Sequence, residues 1–104
     1  KGLGVAKSFA DAANYYEKAC QYGSATGCSN IGGMYEYGEG RMKNWKKARQ
    51  LYTKACDGRY AKGCYYLGMM LKKGGQGVRS NPAKARKLFG KSCDLGYKKA
   101  CKQR

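Results

Sequence analysis

Cysteine carries the most distinctive chemistry in this chain, and its six copies fall at 20 and 28, 56 and 64, 93 and 101. Members of each pair are eight apart, and the pairs recur after 36 and then 37 residues. Thiols in such patterns bind metal, cycle between redox states or close structural disulfides. Zinc favours Cys-x2-Cys pairs or histidine partners. This chain has no histidine, and six thiols divide badly into four-ligand sites. The repeat therefore selects the pairing Cys20–Cys28, Cys56–Cys64 and Cys93–Cys101. Closing so short a loop is worth roughly 2–3 kcal/mol in the chain-entropy model. Disulfides imply an oxidising compartment, so the chain reads as secreted or periplasmic.

Other reactive groups are sparse. Without histidine, acid–base work falls to carboxylates, lysines or tyrosines. The carboxylates Asp11, Glu17, Glu36, Glu39, Asp57 and Asp94 lie mostly at helix ends or exposed helical positions, where helix termini and solvation account for them. The sequence calls for no cofactor and no metal, and catalytic residues are not assigned. Charge is more informative. There are 22 Lys+Arg against 6 Asp+Glu, a formal net of +16. Residues 1–40 hold three lysines against four acids, a net of −1, and residues 41–104 carry the remaining +17. A block of that sign attracts anions at a salt-dependent rate, beyond what solubility requires.

Three anionic partners follow: an acidic protein or peptide, an acidic cell-surface glycan, and nucleic acid. Lys46, Lys47, Arg49, Lys84, Arg86 and Lys87 could meet phosphates, with Trp45, Tyr65 or Tyr66 stacking on bases. Oxidised cysteines place the chain away from cytosolic nucleic acid, which favours the first two. Trp45 has a simpler role, packing on the preceding turn. No apolar run approaches the roughly 18 residues of a membrane span.

The elements that must position these groups come from the same repeat. Ala12, Ala48 and Ala85 align, as do Tyr15, Leu51 and Leu88, then Tyr16, Tyr52 and Phe89. Positions 12, 15, 16, 19 and 20 have the spacing of one helical face, and that face recurs at 48–56 and 85–93. Ser8, Asn44 and Asn81 are aligned N-cap candidates, with Pro82 at a first helical position. A second helix in each unit carries Cys28, Ile31, Gly32 and Tyr35, repeated as Cys64, Leu67, Gly68 and Leu71. Glycine there predicts close backbone approach by a neighbouring helix. Gly38-Glu39-Gly40 and Gly74-Gly75-Gln76-Gly77 break the helices, the second with one added residue. Leu, Ile, Val and Phe total only 11 of 104 residues, so the core needs the covalent help that the cysteines supply.

The expected fold is all-α, an α/α solenoid of disulfide-bridged helix pairs with about two and a half repeats. Its boundaries are 1–7 (the end of a preceding repeat), 8–43, 44–80 and a truncated third repeat, 81–104. Repeat units bury their faces against neighbours, and the first helices of two-helix repeats often line a groove. Candidate partner-binding residues there are Asn14, Glu17, Arg49, Gln50, Thr53, Arg86 and Lys87. Tyr66 and Met70 join them from an apolar cluster that includes Tyr65 and Met69, which packs the third helix pair or offers an adaptable partner surface.

The run Ala13-Asn14-Tyr15-Tyr16-Glu17-Lys18-Ala19-Cys20, then Ala25-Thr26-Gly27-Cys28, Ile31-Gly32, Tyr35 and Gly38-Glu39-Gly40 resembles the Sel-1-like repeat family. Lys54-Ala55-Cys56 and Ala61-Lys62-Gly63-Cys64 repeat it. The cysteine spacing is similar to its Helicobacter cysteine-rich protein branch, relatives of tetratricopeptide repeats. The resemblance implies a secreted or periplasmic scaffold that binds peptides or proteins. It also implies, as an alternative, a β-lactamase or penicillin-binding role. A serine β-lactamase needs Ser-x-x-Lys and Lys-Thr-Gly elements, and neither occurs in the sequence. The third unit departs from the pattern in carrying Ser92 where the others have alanine.

Overall fold

In the computed structural model the backbone is described for residues 3–104 and side chains from Phe9 onward. Six helices follow one another: α1 Leu3–Gln21, α2 Ala25–Tyr37, α3 Trp45–Asp57, α4 Ala61–Lys73, α5 Pro82–Asp94 and α6 Lys98–Cys101. They alternate in the order the repeat dictates, and each cysteine pair joins the end of one helix to the start of the next. The expected all-α solenoid of bridged pairs is the observed fold, drawn out to 42 × 27 × 25 Å.

Local chemistry sets most boundaries. Asn44 Oδ1 accepts the Lys47 amide at 3.0 Å, and Asn81 Oδ1 accepts that of Lys84 at 3.1 Å, which starts α3 and α5. Ser24, not singled out by the repeat, caps α2 through the Gly27 amide. Ser8 does not cap α1. The backbone is already helical at Leu3, so position 8 lies inside α1 and not at its start, and residues 1 and 2 lie outside the described residues. No glycine or proline interrupts Val5 to Ala10, and serine inside a helix costs little. In the loop 74–81, Gly75 and Val78 exchange backbone hydrogen bonds, and this tight turn drives Val78 into the core.

Packing joins units more than it joins the helices within one. The tightest neighbours are α2 with α3 and α4 with α5, each formed by the second helix of one unit and the first of the next. One cluster gathers Tyr52, Tyr65, Leu67, Met70, Leu71 and Phe89 with small alanines; the other gathers Ala13, Cys20, Cys28, Ile31, Met34 and Ala55. Tyrosine, methionine and half-cystine thus fill the volume that aliphatics fill elsewhere. The predicted stripes hold on α3 and α5, whereas on α1 Tyr15 is 68% exposed. Its equivalents Leu51 and Leu88 pack on α2 and α4, but α1 has no earlier helix beside it among the described residues. Gly32 and Gly68 do permit close approach, by an aromatic ring rather than a backbone. A Cβ at Gly32 would lie 3.1 Å from Tyr52 Cδ1, and one at Gly68 only 2.7 Å from Phe89 Cε1. Ser92 also finds a purpose, donating at 2.7 Å to the Ala61 carbonyl at the start of α4.

Candidate functional site

All six cysteines are oxidised in the expected pairs, with Cα–Cα separations of 4.5, 4.5 and 4.7 Å. The first two bridges are buried, and the third, Cys93–Cys101, is half-buried. They are structural staples that hold successive hairpins, and no thiol is left for metal or redox chemistry.

Two surface regions could take a partner. One is a pocket of about 290 Å³ where α3, α4 and the entry to α5 meet. Arg49, Arg79 and Lys84 line it together with Thr53 and Asn81, over a floor of Leu67 and Leu71. No carboxylate lines this pocket, so three cations face a common space with an apolar base. Thr53 spends its hydroxyl on the Arg49 carbonyl at 2.7 Å. Arg49 and Thr53, predicted as binding residues, are thus brought together. Gln50, Arg86 and Lys87 are exposed but lie outside that lining. Arg79 and Lys84 complete the pocket: Lys84 reads from the sequence as a phosphate contact, whereas Arg79 sits in the loop, beyond the reach of helical periodicity.

The second region is a groove along α2, α3 and α4. Its first compartment, about 320 Å³, is lined by Tyr37, Tyr52, Tyr66, Glu36 and Glu39 among others. Its second, about 420 Å³, shares Glu36, Tyr37 and Tyr66 and continues over Trp45, Tyr65 and Met69 to Lys73. Tyr52 donates its phenol proton to Glu36 Oε1 at 2.6 Å. Burial first, then this hydrogen bond and the carboxylate's charge, push the Tyr52 phenol far above its usual range. The Tyr37 phenol is also raised, by the charge of Glu36, then burial, then Glu39. Tyr66 is raised mainly by burial. Tyr66, expected among the partner-binding residues, lines both compartments. Met70, one turn further along the same face of α4, is 2% exposed and packs in the core, where it lines the base of the second compartment. Trp45 packs half-buried against the core.

Asn14 and Glu17 meet a different fate. Arg41 reaches back from the loop after α2, donating to Glu17 Oε1 at 2.7 Å, Asn14 Oδ1 at 2.8 Å and the Gly40 carbonyl at 2.9 Å. The hydrogen bond to Glu17 leads the causes that hold the guanidinium above its ordinary pKa. Both residues are engaged within the chain rather than held ready. Nor do the serines assemble a nucleophilic site among the described residues: Ser29 and Ser92 are buried, Ser24 caps α2, and Ser80 donates to the Lys72 carbonyl. The β-lactamase alternative therefore finds no residues here to support it.

Helix pairs clipped by sulfur, stacked in one direction and carrying grooves between units, define a repeat scaffold of the tetratricopeptide-like kind. The chain belongs to the Sel1 repeat family, whose profile matches residues 1–24, 25–60 and 61–97. That frame begins its second and third units at or close to α2 and α4, the helices that pack tightly onto the first helix of the next pair. Helicobacter pylori cysteine rich protein B is similar in structure, with a TM-score of 0.80 and 40% identity over 86% of this chain. The match covers 66% of that protein, just under two thirds of its length. A Sel1 repeat protein from Oxalobacter formigenes aligns with a TM-score of 0.82 and 30% identity, covering 94% of this chain and 39% of the other. A protective antigen of uropathogenic Escherichia coli strains displaying an SLR fold shares the fold, with a TM-score of 0.82 and 24% identity over 88% of this chain and 20% of its own. Among curated proteins, none matches the sequence closely enough to count as a relative. Sel1 repeats are noncatalytic scaffolds that bind proteins. Among the described residues no helix is long and apolar enough to cross a membrane.

Proposed function

We propose that this chain is a recognition scaffold working outside the reducing cytosol, secreted or periplasmic, and that it binds an acidic segment of a partner protein. The observation that carries this reading is the pocket where Arg49, Arg79 and Lys84 converge without a carboxylate in its lining. The +17 of residues 41–104 speeds encounter over longer range, and the pocket gives the encounter a place to end. Leu67 and Leu71 supply an apolar floor, so an acidic residue beside an aliphatic one suits it best. Three bridges and no free thiol support the compartment. In this reading the working units are the clipped pairs 8–43 and 44–80, with 81–104 a shortened third.

The test is fluorescence anisotropy with a labelled deca-glutamate peptide, set beside heparin and a single-stranded oligonucleotide. Affinity for the peptide should fall steeply between 50 and 200 mM salt, on the order of tenfold or more. Arg49→Glu and Lys84→Glu should each weaken it several-fold. Peptide binding indifferent to both variants would sink the pocket. Tighter binding of heparin or oligonucleotide, also indifferent to them, would replace it with diffuse polyanion attraction.

A further inference from the structure

The groove along α2 holds the opposite chemistry, and nothing in the acidic-partner reading uses it. In a chain with 22 basic residues and only 6 acidic ones, Glu36 and Glu39 line one compartment, and no lysine or arginine lines it with them. Of the four other carboxylates two are matched, Glu17 with Arg41 at 2.7 Å and Asp94 with Arg104 at 3.2 Å. Among the described residues neither Glu36 nor Glu39 has such a partner. Three phenol rings surround these two acids. Tyr52 and Tyr66 lie with centroids 5.5 Å apart, and Tyr37 stands at the mouth, 69% exposed. Aromatic faces attract cations through their quadrupole. The charge of Glu36, then burial, then the charge of Glu39 raise the Tyr37 phenol, as one ring beside two acids requires.

The repeat supplies an internal control on whether the fold itself needs this arrangement. After the 36-residue step, Lys72 and Lys73 occupy the places of Glu36 and Tyr37, and Phe89 aligns with Tyr52. The next junction packs equally well without any of these polar groups. Acid and phenol at the first junction are therefore additions to a working interface.

We infer that the compartment bounded by Glu36, Glu39, Tyr37, Tyr52 and Tyr66 receives a cationic side chain, lysine or arginine, presented by a partner protein. Tyr52 occupies one oxygen of Glu36, and the other remains for the incoming N–H donor. Glu39 supplies the second charge, and the rings contact the aliphatic stem and the cationic head. A cavity of about 320 Å³ is large for a bare ion and suited to such a side chain. Two carboxylates are also too few for a calcium site, which takes six to eight oxygens. The chain's overall +16 does not forbid a cation here, since screening beyond about 8 Å at physiological salt leaves the local acids and rings to decide.

The experiment is NMR titration of the full chain at physiological ionic strength with blocked Gly-Gly-Lys-Gly-Gly, its arginine counterpart, and a neutral norleucine counterpart. Saturable shifts of Tyr37, Tyr66 and Gly33 signals are expected with the two cationic peptides and not with norleucine. Tyr37→Ala and Glu39→Gln change exposed residues, so the fold should survive, and each should weaken binding about 2- to 30-fold. Tyr22→Ala, an exposed tyrosine outside the groove, should change nothing. Equal response to norleucine, equal loss in Tyr22→Ala, or no saturable shift with either cation would overturn the assignment. These outcomes are independent of the deca-glutamate result, so either site can fail alone.

Discussion

The junction of α2 with α3 and the junction of α4 with α5 are two solutions to one packing problem. Both seat an aromatic ring on a glycine, Tyr52 on Gly32 and Phe89 on Gly68. Both bury that ring almost completely, at 2% exposure. At the rim they diverge. The first continues from the ring to a phenol proton, then to Glu36 and a groove of tyrosines. The second ends in hydrocarbon, and the residue in the place of Glu36 is Lys72, which donates to Gln103 at 3.0 Å. Stability comes from ring against glycine, which the two share. Binding chemistry sits in the rim, which they do not.

The largest effect should come from opening the staple that lies between the junctions. Cys56 and Cys64 are both fully buried, and replacing the pair with alanine should cost about 2–5 kcal/mol, read from urea denaturation. The half-buried Cys93–Cys101 bridge should yield first to mild reductant, which mass spectrometry after alkylation would detect. Uniform reduction of all three would show that the ends and middle are equally protected.

Next come the glycines themselves. Gly68→Ala would place a Cβ 2.7 Å from the ring of Phe89, a buried group with no room to retreat. Overpacking of about 1–3 kcal/mol should outweigh the helix propensity gained, about 1 kcal/mol. At Gly32 the same atom would meet Tyr52 at 3.1 Å, so Gly32→Ala should fall near neutral. A larger loss at Gly32 would reverse the ranking of the two junctions.

The rim difference can be erased by Tyr52→Phe, which turns the first junction into the second. It removes a hydrogen bond to a carboxylate, worth about 1.5–3 kcal/mol when buried and less here, where Glu36 is half-buried. Alkali offers a second readout. The folded phenol of Tyr52 is raised above the unfolded value near 10, so the folded state holds its proton more tightly. Its contribution is fully present below about pH 10 and is lost as pH rises above that value. Stability of the native chain should therefore drop more steeply above pH 10 than that of Tyr52→Phe, measured by denaturation at matched pH. Parallel curves would remove Tyr52 from the account.

Sequence and structure part company at this rim. Cysteine spacing, the Asn44 and Asn81 caps and the stripes on α3 and α5 are legible because each depends on neighbours within a turn or two. Glycines 32 and 68 announce a close approach, though not that a ring makes it. Glu36 reads as a solvated helical acid, since its partner Tyr52 belongs to the next helix and itself reads as core. The same holds for Asn14 and Glu17, which Arg41 claims from a loop. Met70 lies at the base of the groove and not on its rim, a depth that the apolar pair Met69-Met70 does not specify in the sequence. One signal was present all along: Glu36 against Lys72 reverses charge at aligned positions, and an alignment of the repeats shows it without any structure.

The smallest effect tests the connections inside each unit. Gly23 and Gly96 hold φ of 99° and 108°, and the aligned residue in the middle unit is Arg59, at φ 67°. A side chain in this left-handed region costs roughly 1–2 kcal/mol, because its Cβ crowds the following carbonyl oxygen. Glycine relieves that contact but widens the conformational freedom of the unfolded chain, which returns part of the gain. Arg59→Gly should therefore stabilise the chain by up to about 1 kcal/mol, a shift of several degrees in melting temperature for a domain of this size. It also removes one exposed cation outside the basic pocket, so deca-glutamate affinity should fall only slightly. Destabilisation instead would mean that the guanidinium or its stem supports the turn between α3 and α4 by more than the backbone strain costs.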